Sequence, residues 1–198
     1  LLRTAAVVLG ALAVFAGGLS YLADTWRGRA QPNPVTWFLW ALAPLIACAA
    51  EVSSGVGIHA LMTFAVGFTP LLVLAASFLR RGGRWRIGRF DVVCGVLSLV
   101  GIVLWLVSQN PEVAIGFSIL ADWLAALPTV AKAWRYPETE NDHMFLGGIL
   151  SAGLTLAATT DWVFASYAFP AYILAMNVLL FVLVRFRPGA PAAGAQLR

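Results

Sequence analysis

Charge is scarce in this chain, and the scarcity excludes a water-soluble domain. Thirteen basic and nine acidic side chains among 198 residues make 11% charged, against 61% hydrophobic, where a soluble domain carries roughly one quarter charged residues. Apolar stretches of about 20 residues follow one another, each fenced by Arg, Gly or Pro, and that length crosses a hydrocarbon layer of roughly 30 Å. The chain therefore reads as an all-α integral membrane protein with no room for a soluble domain. Cysteine and histidine are scarcer still. Cys48 and Cys94 fall inside apolar stretches without metal-ligand spacing and read as small buried residues. His59 and His143 are isolated, with no nucleophile–base or zinc pattern beside them, which argues against an enzyme. No cofactor and no metal is expected.

The apolar segments predict seven spans, near 4–26, 36–54, 57–79, 90–109, 113–134, 144–163 and 166–186. Arg3 before the first run would also suit a cleaved signal peptide, but the run is long for one and matches the fifth span, which assigns it to the mature fold. Basic residues are nearly absent from one side of this arrangement. Arg3 alone lies there, beside Glu51, Glu112 and Asp161, whereas the other side holds the remaining twelve, from Arg27 and Arg29 to Arg198. Basic residues flanking spans favour the cytoplasm, so the N-terminus is expected outside and the C-terminus in the cytoplasm of a bacterial inner membrane. The same rule explains the basic loop RRGGRWRIGRFD, which otherwise resembles a patch for nucleic acid or acidic lipid. No nucleic acid is expected as a partner.

What the chain does contain is a repeat. Sliding residues 1–80 onto 109–188 without a gap pairs Leu12 with Leu120, Ala13 with Ala121, Leu19 with Leu127, Trp26 with Trp134 and Arg27 with Arg135. Further on it pairs Ala60 with Ala168, Leu71 with Leu179, Leu72 with Leu180 and Phe78 with Phe186. Three crossings reverse the exit side, so one extra crossing lets a second copy enter with the polarity of the first. The predicted organisation is a bundle over 1–80, a basic loop and linker helix over 81–109, a second bundle over 110–187 and a disordered tail over 188–198. Parallel repeats of this kind are a transporter architecture.

Leu127-Pro128-Thr129-Val130-Ala131-Lys132-Ala133-Trp134-Arg135 resembles the L-P-Q-x-x-K-x-x-R signature of PQ-loop proteins, with Thr129 for Gln. The matching Leu19 to Arg27 stretch has lost both Pro and Gln while keeping Trp and Arg. Together with the repeat, this is similar to the SWEET-like 3+1+3 seven-helix fold. The resemblance implies a facilitator or proton-coupled carrier of small polar solutes, since the superfamily holds sugar carriers, lysosomal amino-acid exporters and PnuC-type nicotinamide riboside carriers. It also holds the KDEL receptor, so a non-transporting receptor or assembly subunit is the alternative. The expected partners are a small-molecule solute and the bilayer, with a second copy or another membrane protein also compatible.

Asp122 is the sharpest candidate. A lone charge at mid-membrane costs roughly 3 kcal/mol or more, so it should face the bundle interior, binding a proton or a cationic group of the solute; the plainer reading has it bonded to neighbouring polar side chains. Val14 is its counterpart in the first copy. The resemblance places Asn177 and its counterpart Thr69 on the central pathway, although a helix–helix hydrogen bond of about 0.6 kcal/mol would also account for Asn177. Trp37 and Trp40 share a helical face and could stack a flat ring, while an interfacial aromatic belt explains them more simply. Pro44, Pro70, Pro128 and Pro170 fall within spans, where each removes a backbone hydrogen bond and bends its helix. Pro44 and Pro128 match hinge positions of SWEET-like carriers, with Ala152 and Ser20 at the repeat-related places. Thr155 and Tyr172 complete the expected lining of Asp122, Asn177, Thr69, Trp40 and Pro44. The acidic residues Glu138, Glu140 and Asp142 are expected to complement the dipole of the sixth helix and carry no chemistry.

Overall fold

The protein, seen in a computed structural model describing residues 2–53, 60–80 and 85–186, is built from seven α-helices. These are α1 (Leu2–Arg27), α2 (Pro34–Ser53), α3 (Ala60–Leu79), α4 (Arg89–Val107), α5 (Pro111–Arg135), α6 (Asp142–Ala158) and α7 (Phe164–Phe186). A 3₁₀ turn, Pro137–Thr139, stands between α5 and α6. His59, Arg81, Arg84 and the tail over 188–198 lie outside the described residues.

Among the described residues, four helices are long and apolar enough to cross a membrane: Val8–Arg27, Arg89–Val107, Glu112–Arg135 and Phe164–Phe186. The apolar parts of the other three, Pro34–Ala50, Val66–Leu79 and Asp142–Ala158, are shorter. Large apolar side chains stand exposed along the helices, among them Val93, Val96, Val100 and Val103 of α4. In water such a surface would be untenable; in lipid it is the expected solvent. The protein is a helical membrane protein.

Helix ends follow local chemistry. Asn33 precedes Pro34 and accepts from the backbone N–H groups of Val35 and Thr36 at 3.0 and 3.5 Å. Asn110 precedes Pro111 and accepts from Glu112 and Val113 at 2.9 and 3.2 Å, and Asn141 accepts from Met144 at 3.1 Å. Each satisfies N–H groups that a helix start leaves orphaned. At the other end of α1, Gly28 takes φ +80°, the left-handed conformation that ends helices. Most boundaries fall within a few residues of expectation, with the largest difference at the end of α6. The asparagine cap starts α2 at Pro34, and α6 stops at Ala158, so that 159–163 is not helical.

Within the first triplet α3 packs on both α1 and α2, and within the second α7 packs on both α5 and α6. Between them α1 lies along α6, the most extensive interface, and α2 lies against α5. α4 covers α5 and touches α2. The α1–α6 seam is close because small residues line it. A Cβ at Gly17 would sit 2.8 Å from the His143 carbonyl oxygen and 3.0 Å from Met144 Cα, and one at Gly10 3.1 Å from Ser151 Cα.

Substituting Gly17→Leu should therefore cost about 1–3 kcal/mol through overpacking, read as a lower Tm in detergent. Gly116→Leu, where nothing lies within 4 Å of an added Cβ, should leave Tm near wild type.

Candidate functional site

Asp122 lies near the middle of α5, 11 residues from its start at Pro111 and 13 from its end at Arg135. Its carboxylate points inward. Tyr172 of α7 donates its hydroxyl to Asp122 Oδ2 at 2.7 Å, and the Trp40 indole of α2 also interacts with the carboxylate. Helices of both triplets thus meet at one acid. Trp40 packs against all three buried clusters of the core and stands edge-on to Trp37, with ring centroids 5.6 Å apart. Trp37 is fully buried against Tyr21, at 4.4 Å between centroids.

The aromatic-belt reading of Trp37 and Trp40 is therefore replaced: both rings belong to the interior. Trp26 and Trp134, 61% and 56% exposed, suit such a belt instead. The physical reason is register, since α2 turns the face carrying Trp37 and Trp40 toward α1 and α5 rather than outward.

Of the other expected site residues, Pro44 follows Trp40 by one helical turn, and Pro128 is fully buried in α5. All four span prolines lie inside continuous helices. Asn177 donates to the Ile173 carbonyl of its own helix at 2.9 Å, and its amide rests on Gly148 of α6. The Thr69 methyl rests on Gly18 of α1. Thr155 donates to the Ser151 carbonyl, one turn back on α6, at 2.9 Å. The acid, the phenol and the indole are thus in direct contact, whereas Asn177 and Thr155 bond within their own helices and Asn177 and Thr69 rest on glycines of adjacent ones.

A second polar centre, missed in the sequence, closes the end of the bundle that carries the basic residues. Lys132 and Glu140 are both sealed from solvent and paired at 2.7 Å. Tyr21 of α1 donates to the other carboxylate oxygen, Glu140 Oε2, at 2.7 Å. Lys132 Nζ also donates to the carbonyls of Gln31 and Thr139, and Gln31 N–H donates to the Thr139 carbonyl at 2.9 Å. The α1–α2 loop is thereby tied to the α5–α6 loop. Nearby, Asn141 donates to Ser20 Oγ at 3.1 Å and to Asp24 Oδ2 at 2.6 Å. Dipole complementation fits Asp142, in the first turn of α6. It does not describe Glu140, whose partner is a buried ammonium. The available signal was the motif lysine followed eight residues later by an acid in a short connection.

Neither of two pockets at or near this end is lined by any of the seven expected binding residues. No group of three or more His, Cys, Asp or Glu side chains able to hold a metal occurs among the described residues. No protein family, curated protein or solved structure matches the chain.

Removing one partner of a buried pair leaves the other charge uncompensated, at about 3–5 kcal/mol. Glu140→Leu and Lys132→Met should each lower Tm strongly, and the double variant should recover part of the loss. A double-mutant cycle by thermal unfolding measures the coupling.

Proposed function

We propose that this protein carries a small polar solute across a bacterial inner membrane, through a pathway between two parallel three-helix repeats, 1–80 and 110–187, joined by the linker helix α4. The observation that carries the reading is the mid-helix carboxylate of Asp122, held by Tyr172 of α7 beside Trp40 of α2. Intramembrane acids mark ion and substrate pathways because their burial is otherwise costly.

Contacts between helices support the repeat. Advancing every helix of the first triplet by one repeat, and moving the second back, turns the α1–α6 interface into α5–α2 and the α1–α3–α2 packing into α5–α7–α6, all of which occur. The Asn33 and Asn141 caps exchange under the same 108-residue shift. So do Asp122 with Val14 and Trp40 with Gly148, so the acid and indole of one side correspond to a valine and a glycine on the other, the glycine lying against the Asn177 amide.

In this reading the solute enters a PQ-loop, SWEET-like 3+1+3 bundle whose halves rock about the centre. Asp122 binds a proton or a cationic group of the solute, Trp40 and Tyr172 shape its surroundings, and Asn177, Thr69 and Thr155 contribute hydrogen bonds once the bundle opens. Pro44 and Pro128 act as hinges. The N-terminus faces outward and the C-terminus the cytoplasm, supported by one basic residue on the first side against twelve on the second. A receptor or assembly subunit is the competing reading, favoured by Trp40 filling the centre among three core clusters.

Two measurements test the carrier. Thermal-shift screening of the purified protein against sugars, nucleosides, vitamins and amino acids should yield a ligand that raises Tm, since binding the native state stabilises it by mass action, and Asn177→Ala should weaken the effect. In proteoliposomes loaded with that ligand, folded Asp122→Asn should lose the pH dependence of uptake. An unchanged pH response removes Asp122 from coupling, and a stable complex with a membrane partner without uptake supports the receptor.

A further inference from the structure

At the end of the bundle that carries the basic residues, a pocket of about 270 Å³ opens between the α1–α2 loop, the end of α3 and the segment before α4. Its lining includes Thr25, Gln31, Ser77, Arg80 and Trp85, and no acidic residue. Two of these carry buried polar atoms with no hydrogen-bond partner, Thr25 Oγ1 and Trp85 Nε1. Leaving such groups unpaired costs about 1–3 kcal/mol each, so the residues around the pocket bring a cation together with a buried N–H donor and a buried hydroxyl that no protein group satisfies.

A second cavity of about 390 Å³ adjoins it, sharing Pro34, Phe78 and Ile87. This one is an apolar groove between α2, α3 and α4, lined by Val35, Leu39, Leu74, Val92, Val96 and Leu99 among others. From Val92 to Leu99 it follows α4 for about 10 Å at 1.5 Å per residue, most of the roughly 15 Å of hydrocarbon in one leaflet. A positively charged, donor-rich pocket therefore continues into a hydrophobic channel that runs into the bilayer.

We propose that the paired cavities hold an anionic glycerophospholipid of the leaflet on the basic side. Its phosphate accepts from Trp85 Nε1 and the Arg80 guanidinium, its glycerol region meets Thr25, and one acyl chain lies in the α2–α3–α4 groove. The charge argument selects an anionic headgroup, because a zwitterionic one would bring a second cation beside Arg80. The groove selects a lipid over a soluble phosphate. Basic side chains near a membrane surface draw acidic lipids toward it, and Arg86 and Arg89 stand exposed beside the site. This inference rests on membrane insertion alone and is independent of the carrier reading.

Native mass spectrometry of the purified full chain, titrated with phosphatidylglycerol or with phosphatidylcholine of the same acyl chains, tests it. Wild type should retain phosphatidylglycerol preferentially. Arg80→Gln should weaken retention about tenfold, as expected for losing a charged hydrogen bond. Trp85→Phe, which deletes only the N–H, should weaken it several-fold, and Val96→Phe should weaken both lipids by filling the groove. Arg185→Gln, an exposed arginine paired with Asp142 elsewhere, should change nothing. Thermal unfolding verifies each fold; should Arg80→Gln not fold, Trp85→Phe and Val96→Phe carry the test. Equal retention by wild type and the pocket variants overturns the proposal. So does displacement of the lipid by glycerol phosphate at equal concentration with Val96→Phe inert, which would describe a soluble-anion site.

Discussion

A lysine and a glutamate withdrawn from all solvent must find each other, because several kcal/mol per ion are lost on leaving water and only close pairing with further hydrogen bonds recovers them. In this protein that requirement joins the two triplets. Lys132 belongs to α5 and Glu140 to the connection before α6, while the groups completing their coordination, the Tyr21 hydroxyl and the Gln31 carbonyl, come from α1 and its following loop. Lipid supplies no hydrophobic drive between helices, so directional contacts of this kind and close packing along the α1–α6 seam set how the halves sit. The basic end is consequently shut. A carrier opening toward that side would have to separate Tyr21 and Gln31 from the Lys132–Glu140 pair, and the pair itself can travel intact with α5.

The two inter-triplet seams are unlike each other for reasons visible in single residues. Along α1 and α6, Gly10, Gly17 and Gly147 let backbones touch. Along α5 and α2 the corresponding centre holds Asp122 and Trp40, with bulk and charge where the first seam has Val14 and Gly148. α4 then leans on both α5 and α2. A rocking motion of the kind proposed would pivot on the glycine seam and open on the side of the acid.

Much of the architecture was legible beforehand because it follows from one-dimensional signals. Apolar run length found the seven helices, and Arg, Gly or Pro fenced their ends, while the asparagine caps emerged only from the structure. The inward position of Asp122 followed from the cost of its charge, and Tyr172 emerged as its partner. Trp37 and Trp40 were misread because composition near a helix end cannot distinguish an interior face from a lipid face; that depends on the rotation of α2, which neighbours decide. Glu140 was misread for a related reason. An acid just before a helix has an ordinary role in dipole complementation, and only the folding back of the α5–α6 connection brings it onto Lys132. Nor does the sequence reveal the Thr25–Arg80–Trp85 pocket, whose walls come from three separate segments.

The proposed carrier requires Asp122 to lie in a passage that opens between the triplets. Its most direct test replaces Cys48 and Cys94 with alanine, introduces Asp122→Cys and applies membrane-impermeant thiol reagents to each face of sealed, oriented vesicles. The account predicts modification from either face at measurable rates. Labelling by a lipid-soluble maleimide alone, with no reaction from either aqueous side, would contradict it.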